Sequence, residues 1–129
     1  YVELAYAKQN KLPYASIRNA AGNFVAPSPE GMTAAAAGVA DKLPANTDYR
    51  LSIVNAAGAN AYPISSFTWI LVYKQQTDSA KARKLRDFMK WALTEGEKQA
   101  SALDYAPLPE SMGSRLVARL DSLKAGTTQ

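Results

Sequence analysis

The chain has 129 residues, of which 47% are hydrophobic and 20% charged, so it is long enough to bury one core and unlike a disordered segment. It contains neither cysteine nor histidine, which excludes disulfides, thiolate zinc sites, cysteine nucleophiles and histidine-based catalysis. The net charge of +4 is modest, so the distribution of the basic residues says more about an anionic partner than their total does.

The N-terminal part of the chain predicts a strand followed by a small hairpin. Residues 1–6 are rich in aromatic and aliphatic types and predict a strand, or a strand that runs into a short helix through Gln9. Because the strand-forming residues begin at Tyr1, we expect the given sequence to start within this strand. A turn sequence at 19–23 separates a short strand at 14–18 from the apolar residues 24–26, which is the pattern of a hairpin.

A helix is predicted over 29–40. Ser28 has the character of an N-cap, Pro29 suits the first helical position and Glu30 places an acid in the first turn. The alanine-rich body is a good helix former. Beyond it, residues 51–54 predict either a strand or a fragment of helix.

The segment 62–73 predicts the strongest strand of the chain. Phe67, Trp69, Leu71 and Tyr73 alternate with other apolar residues, so that both faces of the strand are apolar. A strand with two apolar faces is typical of the centre of a sheet covered by helices on both sides. We therefore expect Trp69 to lie in the core.

The C-terminal part predicts two helices separated by a proline-rich connector. An apolar stripe predicts a helix over 79–94, capped by Asp78 or Ser79, and helical geometry is expected to resume after Gly96. A last helix is predicted over 109–123, and the final residues 126–129 are expected to fray. The stripe of the first helix consists of Leu85, Phe88, Met89, Ala92 and Leu93.

Basic residues cluster in and just before the helix at 79–94. They are Lys74, Lys81, Arg83, Lys84, Arg86 and Lys90. This basic face matches the footprint of a nucleic-acid-binding module, but any amphipathic helix places solvated charge opposite its apolar stripe, and this interpretation is favoured. The 11 carboxylates are scattered and predict neither a metal site nor an acid/base pair, so an enzyme is the least favoured class.

Three runs of sequence resemble the phosphate-binding proteins of bacterial phosphate ABC importers. The first is YVELAYAKQN at 1–10, which in that family follows a Gly-Ala-Ile-Gly turn, and the second is YPISSFTWIL at 62–71. The third is LDYAPLP at 103–109, preceded by FMKWA at 88–92 and a Gly-x-Lys-Gln-Ala run at 96–100. The resemblance covers nearly the whole chain.

The resemblance implies an α/β fold class, a fragment of a type II periplasmic binding protein fold in which two α/β lobes are joined by crossover hinge strands. Residues 1–61 would then belong to the second lobe as a strand, hairpin and helix. Residues 62–64 would cross the hinge, and 65–129 would return to the first lobe as a central strand with helices. The chain would be the C-terminal portion of such a protein.

The same resemblance implies a receptor that captures inorganic phosphate in the cleft between the lobes and delivers it to ABC permease subunits. Such a receptor is not an enzyme, uses no cofactor, and is periplasmic or, in relatives, extracellular and tethered to a membrane. The missing N-terminal part of the same protein would be a further partner, and no nucleic acid would bind. The alternatives are a receptor for another oxyanion and a nucleic-acid-binding module that uses the basic helix face.

No ligand-binding residue of the family is carried over to this chain. The family grips phosphate with helix N-termini, Ser and Thr hydroxyls, an Arg and an Asp, and its Arg-x-x-x-Ser-Gly-Thr run lies upstream of the matching region. We expect Glu3, Ala5 and Tyr6 to border the mouth of the cleft, since the first strand ends there. No catalytic or metal-ligating residue is expected.

Overall fold

The computed structural model describes residues 1–40 and 42–125. Its helices are α1 (Leu4–Gln9), α2 (Pro29–Ala40), α3 (Ser79–Ala92) and α4 (Glu110–Leu120), with 3-10 turns at Gly96–Gln99 and Ser101–Leu103. Its strands are β1 (Ile17–Arg18), β2 (Phe24–Val25), β3 (Gln75–Gln76) and β4 (Lys124–Ala125). Residues 126–129, which are predicted to fray, lie outside the described residues.

The chain divides into two compact units. The first unit comprises Tyr1–Thr68 and Ala100–Pro109, and the second comprises Trp69–Gln99 and the described residues of Glu110–Gln129. The chain therefore passes from one unit to the other after Thr68, after Gln99 and after Pro109. How these units correspond to the predicted lobes at 1–61 and 65–129, with a crossover at 62–64, stays a prediction.

The first unit begins with a short helix. The prediction of a strand over 1–6 is wrong, whereas the short helix that was expected to follow it is present as α1. Leu4 and Ala7 are buried and lie three positions apart, a spacing that places both side chains on the same face of a helix. Burial of this face explains why the segment is helical despite its strand-forming residues.

The predicted hairpin is present and is organised by a buried asparagine. Strands β1 and β2 pair antiparallel, with Ile17 opposite Val25. In the turn, Asn19 is buried and its Oδ1 accepts hydrogen bonds from the backbone N–H groups of Ala21 at 3.1 Å and Asn23 at 3.0 Å. The side chain of Asn19 thus completes the turn from inside the unit.

Helix α2 has the predicted bounds. The Ser28 Oγ accepts a hydrogen bond from the Gly31 N–H at 3.1 Å, which confirms the predicted N-cap. The buried face of α2 packs into the core of the first unit with irregular segments that follow it; the core consists of Ala35, Ala36, Ile53, Ala56 and Ala61. A side chain at Gly38 would overlap the backbone carbonyl oxygen of Ala57, so glycine permits this close approach.

The second unit is built around α3 and α4, which contact each other. The Asp78 side chain caps α3 by accepting hydrogen bonds from the N–H groups of Ala80 at 2.8 Å and Lys81 at 3.0 Å, as predicted. Strands β3 and β4 pair parallel, with Gln75 opposite Lys124. The sequence did not predict this pair, because each strand has only two residues.

The prediction of a buried central strand at 62–73 is wrong for this chain. Residues 65–73 have irregular backbone, and Leu71 and Tyr73 are 93% and 85% exposed. Trp69, predicted to lie in the core, is 47% exposed. A strand forms when its backbone groups bond to a neighbouring strand, and the described residues place no sheet beside this segment.

The apolar stripe predicted for α3 is only partly buried. Leu85 and Met89 are half-buried as expected, whereas Phe88 is exposed, and the fully buried residue of the helix is Ala82. In α4 Met112 is buried as predicted. No helix within 1–40 and 42–125 is long and apolar enough to cross a membrane.

Candidate functional site

The predicted cleft-edge residues lie at the start of the first unit, on and beside α1 rather than at the end of a strand. Glu3 is exposed and forms the N-cap of α1 without a side-chain cap hydrogen bond. Ala5 is half-buried and Tyr6 is exposed. The Tyr6 backbone oxygen accepts a hydrogen bond from the Asn10 side chain at 2.9 Å, which fixes the backbone at this position. The phenol ring of Tyr6 is exposed to solvent.

An ion pair attaches α1 to the segment 100–109. Lys8 Nζ donates a hydrogen bond to Asp104 Oδ1, and the two side chains are 39% and 25% exposed. This hydrogen bond with Asp104 raises the pKa of Lys8 above its ordinary value of 10.5. The sequence did not predict this ion pair, because the two residues are far apart in the chain and each one alone is typical of an exposed, solvated charge.

A second contact attaches the same segment to α2. Thr33 Oγ1 donates a hydrogen bond to the Pro107 carbonyl oxygen at 2.8 Å. Beside this bond lies an open, mainly apolar cavity of about 400 Å³. The cavity is lined by Pro29, Glu30, Thr33, Ala34, Ala37, Ser101 and Pro107.

The charged group at this cavity is the carboxylate of Glu30. Hydrogen bonds from its own backbone N–H and from the Ser28 hydroxyl hold the pKa of Glu30 below its ordinary value of 4.5, and the positive charge of Lys8 acts in the same direction. A carboxylate repels a phosphate dianion. The cavity is therefore unsuited to the capture of an anion.

The basic helix face is smaller than its sequence suggests. Lys81, Arg83, Lys84 and Lys90 are exposed, but Arg86 Nη2 donates a hydrogen bond to the Leu123 carbonyl oxygen at 2.7 Å. Arg86 therefore joins α3 to the strand region after α4, and the prediction that it belongs to the solvated face is wrong. Its guanidinium satisfies a backbone carbonyl immediately before β4.

Two exposed aromatic side chains lie on the outer side of α3. The rings of Phe88 and Trp91 are 6.0 Å apart. A Cβ atom at position 96 would come within 3.1 Å of the Trp91 ring. Because Gly96 has no side chain, the indole packs closely against this turn. The ring is held in place while half of its surface stays exposed.

Metal coordination receives no support from the part of the chain that the structure describes. Within it, no three residues of the types His, Cys, Asp and Glu are grouped so that they could hold a metal ion. The carboxylates that are paired lie instead in ion pairs with a lysine or an arginine, such as Asp48 with Arg50.

Comparison with known proteins relates the chain to phosphate-binding proteins. No family model matches it. It is 46% identical over 118 residues to the phosphate-binding protein PstS of Xylella fastidiosa, a match that covers 92% of this chain and 32% of the relative. The corresponding protein of Pasteurella multocida is 37% identical, with 92% and 34% covered, and that of Methanocaldococcus jannaschii is 39% identical, with 87% and 31% covered.

These matches decide the fold class as well as the relationship. The relatives are type II periplasmic binding proteins, and the helices and short strands of this chain agree with a fragment of that α/β fold, as the sequence predicted. The chain spans about a third of the length of the relatives it matches. By its sequence, this chain belongs to the family of PstS phosphate-binding proteins.

Proposed function

We propose that the chain is the C-terminal portion of a receptor that captures inorganic phosphate between two lobes and delivers it to ABC permease subunits. The observation that carries the proposal is the similarity, along 92% of the chain, to a protein named for phosphate binding. Such a receptor works in the periplasm, or outside the cell on a membrane tether. It acts without a cofactor and without catalysing a reaction.

Within that receptor, this chain frames the cleft while the groups that grip phosphate lie elsewhere. Recognition of a phosphate dianion requires several converging N–H and hydroxyl donors with a cationic partner. The cavity beside α2 offers the carboxylate of Glu30 instead. In this proposal the gripping groups lie in the part of the receptor that precedes these residues, where the Arg-x-x-x-Ser-Gly-Thr run of the family lies.

The exposed apolar segment of the second unit is the contact surface for that preceding part. Ile70, Leu71 and Tyr73 are exposed together in a chain segment with strand-forming residues. About two thirds of the length of the relatives lies outside the match, which is enough chain to supply both a neighbouring strand and a helix cover. Burial of these side chains would contribute roughly 25 cal/mol for each Å² removed from water.

Titration calorimetry of a full-length receptor that carries this chain tests the proposal. We expect phosphate to bind, arsenate to compete because its shape and protonation resemble those of phosphate, and sulfate to compete poorly because it offers no proton to an acceptor at neutral pH. Preferential binding of sulfate would instead identify a receptor for another oxyanion. Retention on DNA with a steep salt dependence would identify the basic helix face as the functional surface.

The position of Glu3, Ala5 and Tyr6 at the cleft edge is tested in the same protein. We expect Tyr6→Ala to weaken phosphate binding or to alter closure of the lobes, because the exposed ring lies where the lobes approach each other in this proposal. Tyr14→Ala is the matched control, since Tyr14 is exposed to a similar degree, 50% against 53%. Equal affinities and equal closure for the two variants would remove the cleft-edge assignment.

A further inference from the structure

The segment Ala100–Pro109 is an excursion of the chain into the first unit. Its neighbours in sequence, Gln99 and Glu110, both belong to the second unit. The chain therefore passes between the units at each end of the segment, in addition to the passage after Thr68. A movement of one unit against the other has to be accommodated at all three passages.

Two side-chain contacts fasten the excursion to the first unit. Lys8 of α1 pairs with Asp104, and Thr33 of α2 donates a hydrogen bond to the Pro107 carbonyl oxygen. The two contacts come from separate helices and reach positions near the middle and near the end of the segment. Together they hold the segment more firmly than either contact would alone, because releasing it requires that both be lost.

The backbone of the excursion fixes the direction of the Asp104 side chain. Asp104 has φ 60° in the left-handed region, which an aspartate adopts more readily than most residues. The N–H of Tyr105 donates to the Ala100 carbonyl oxygen at 3.0 Å, and that of Asp104 donates to the Ser101 carbonyl oxygen at 3.2 Å. The carboxylate is thus presented to Lys8 by a closed turn rather than by a flexible loop.

We infer that Lys8 and Asp104 are positioning residues that set the phosphate affinity of the receptor by keeping this excursion attached to the first unit. The inference rests on the proposed function, in which lobes close over the ligand. An excursion released from the first unit gives the open receptor additional conformations, and closure has to remove them. If the ligand binds only the closed state, its apparent affinity falls in proportion to the fraction of receptor molecules that are competent to bind.

The test uses a full-length receptor that carries this chain and measures phosphate dissociation constants by calorimetry. Lys8→Met and Asp104→Asn each remove the ion pair while keeping most of the side-chain volume. Lys98→Met is the control, because Lys98 forms a local ion pair with Glu95 at 2.6 Å within the second unit, and the two side chains are 66% and 65% exposed.

We expect Lys8→Met and Asp104→Asn each to weaken phosphate binding about two- to fivefold, the range that a partly exposed ion pair supports. The variant that combines Lys8→Met with Asp104→Asn should bind no more weakly than either single variant, and Lys98→Met should bind like the parent. Thermal unfolding midpoints of all variants identify any that fail to fold.

A second readout separates positioning from a simple loss of stability. Spin labels at Ala20→Cys in the first unit and Arg83→Cys in the second report the distance distribution of the phosphate-free receptor. We expect Lys8→Met to broaden this distribution. Unchanged affinities and an unchanged distribution would overturn the inference while leaving the proposed function intact, whereas a parent receptor that does not bind phosphate would overturn both.

Discussion

Replacement of Asn19 by alanine tests how the first unit is held together. The Asn19 side chain is 5% exposed, and its Nδ2 lies within hydrogen-bond distance of the carbonyl oxygens of Gly58 at 3.2 Å, Ala59 at 2.9 Å and Ala61 at 3.1 Å. Its Oδ1 accepts from two backbone N–H groups of the hairpin turn. One amide thus joins the hairpin to the loop that follows the core residue Ala56.

The expected cost of Asn19→Ala follows from these bonds. The Nδ2 group has two hydrogens, so it satisfies two of its three carbonyl neighbours well at any moment. Two donated and two accepted bonds, at about 0.5–1.5 kcal/mol each, give about 2–6 kcal/mol. Gly58 and Ala59 are exposed, so water can replace part of the loss, and we expect about 2–3 kcal/mol of lost unfolding free energy.

Urea denaturation followed by circular dichroism measures this loss. Asn23→Ala is the matched control, because Asn23 is exposed and its side chain donates one hydrogen bond, to the Ala59 carbonyl oxygen at 3.0 Å. We expect Asn23→Ala to cost about 1 kcal/mol or less. If the two variants lose the same unfolding free energy, Asn19 is not the residue that joins the hairpin to the loop.

Three further predictions concern glycine positions, a helix cap and pH. Gly38→Ala should destabilise the protein by about 1–3 kcal/mol through overpacking, whereas Gly113→Ala, where a side chain meets open space, should stabilise it by up to ~1 kcal/mol in the same urea assay. Asp78→Ala should cost about 1 kcal/mol of unfolding free energy through loss of the α3 cap, and Asp78→Ser should keep most of the stability that the cap contributes. The pKa of Glu30 is lowered, so its contribution to stability should be lost as the pH falls below 4.5, and Glu30→Gln should flatten the acid limb of a stability–pH profile. The pKa of Lys8 is raised, so its contribution should be lost as the pH rises above 10.5, and Lys8→Met should flatten the alkaline limb.

Local signals in the sequence predicted the elements that local interactions determine. The bounds of α2, the caps at Ser28 and Asp78 and the hairpin all depend on residues within a few positions of one another. Turn chemistry and capping act at that range, so a short stretch of sequence contains the residues that determine these elements. The same holds for the start of α3.

The long-range contacts could not be predicted from the sequence. The pairing of Lys8 with Asp104, the bonds from Asn19 to the 58–61 loop, and the parallel pair β3 and β4 join residues that no spacing rule connects. The apolar alternation at 62–73 gave a wrong expectation because a strand needs a neighbour as well as a suitable composition. Recognition of the phosphate-binding family succeeded because three runs at the right spacing are jointly specific.

In the proposed receptor, these residues frame a phosphate cleft whose gripping groups lie in the preceding part of the protein. Calorimetric titration of phosphate into the isolated 129 residues and into the full-length receptor, under one buffer condition, tests this division of roles. We expect strong binding to the full-length receptor and weak or no binding to the isolated chain. Micromolar affinity in the isolated chain, or none in either protein, would contradict the claim.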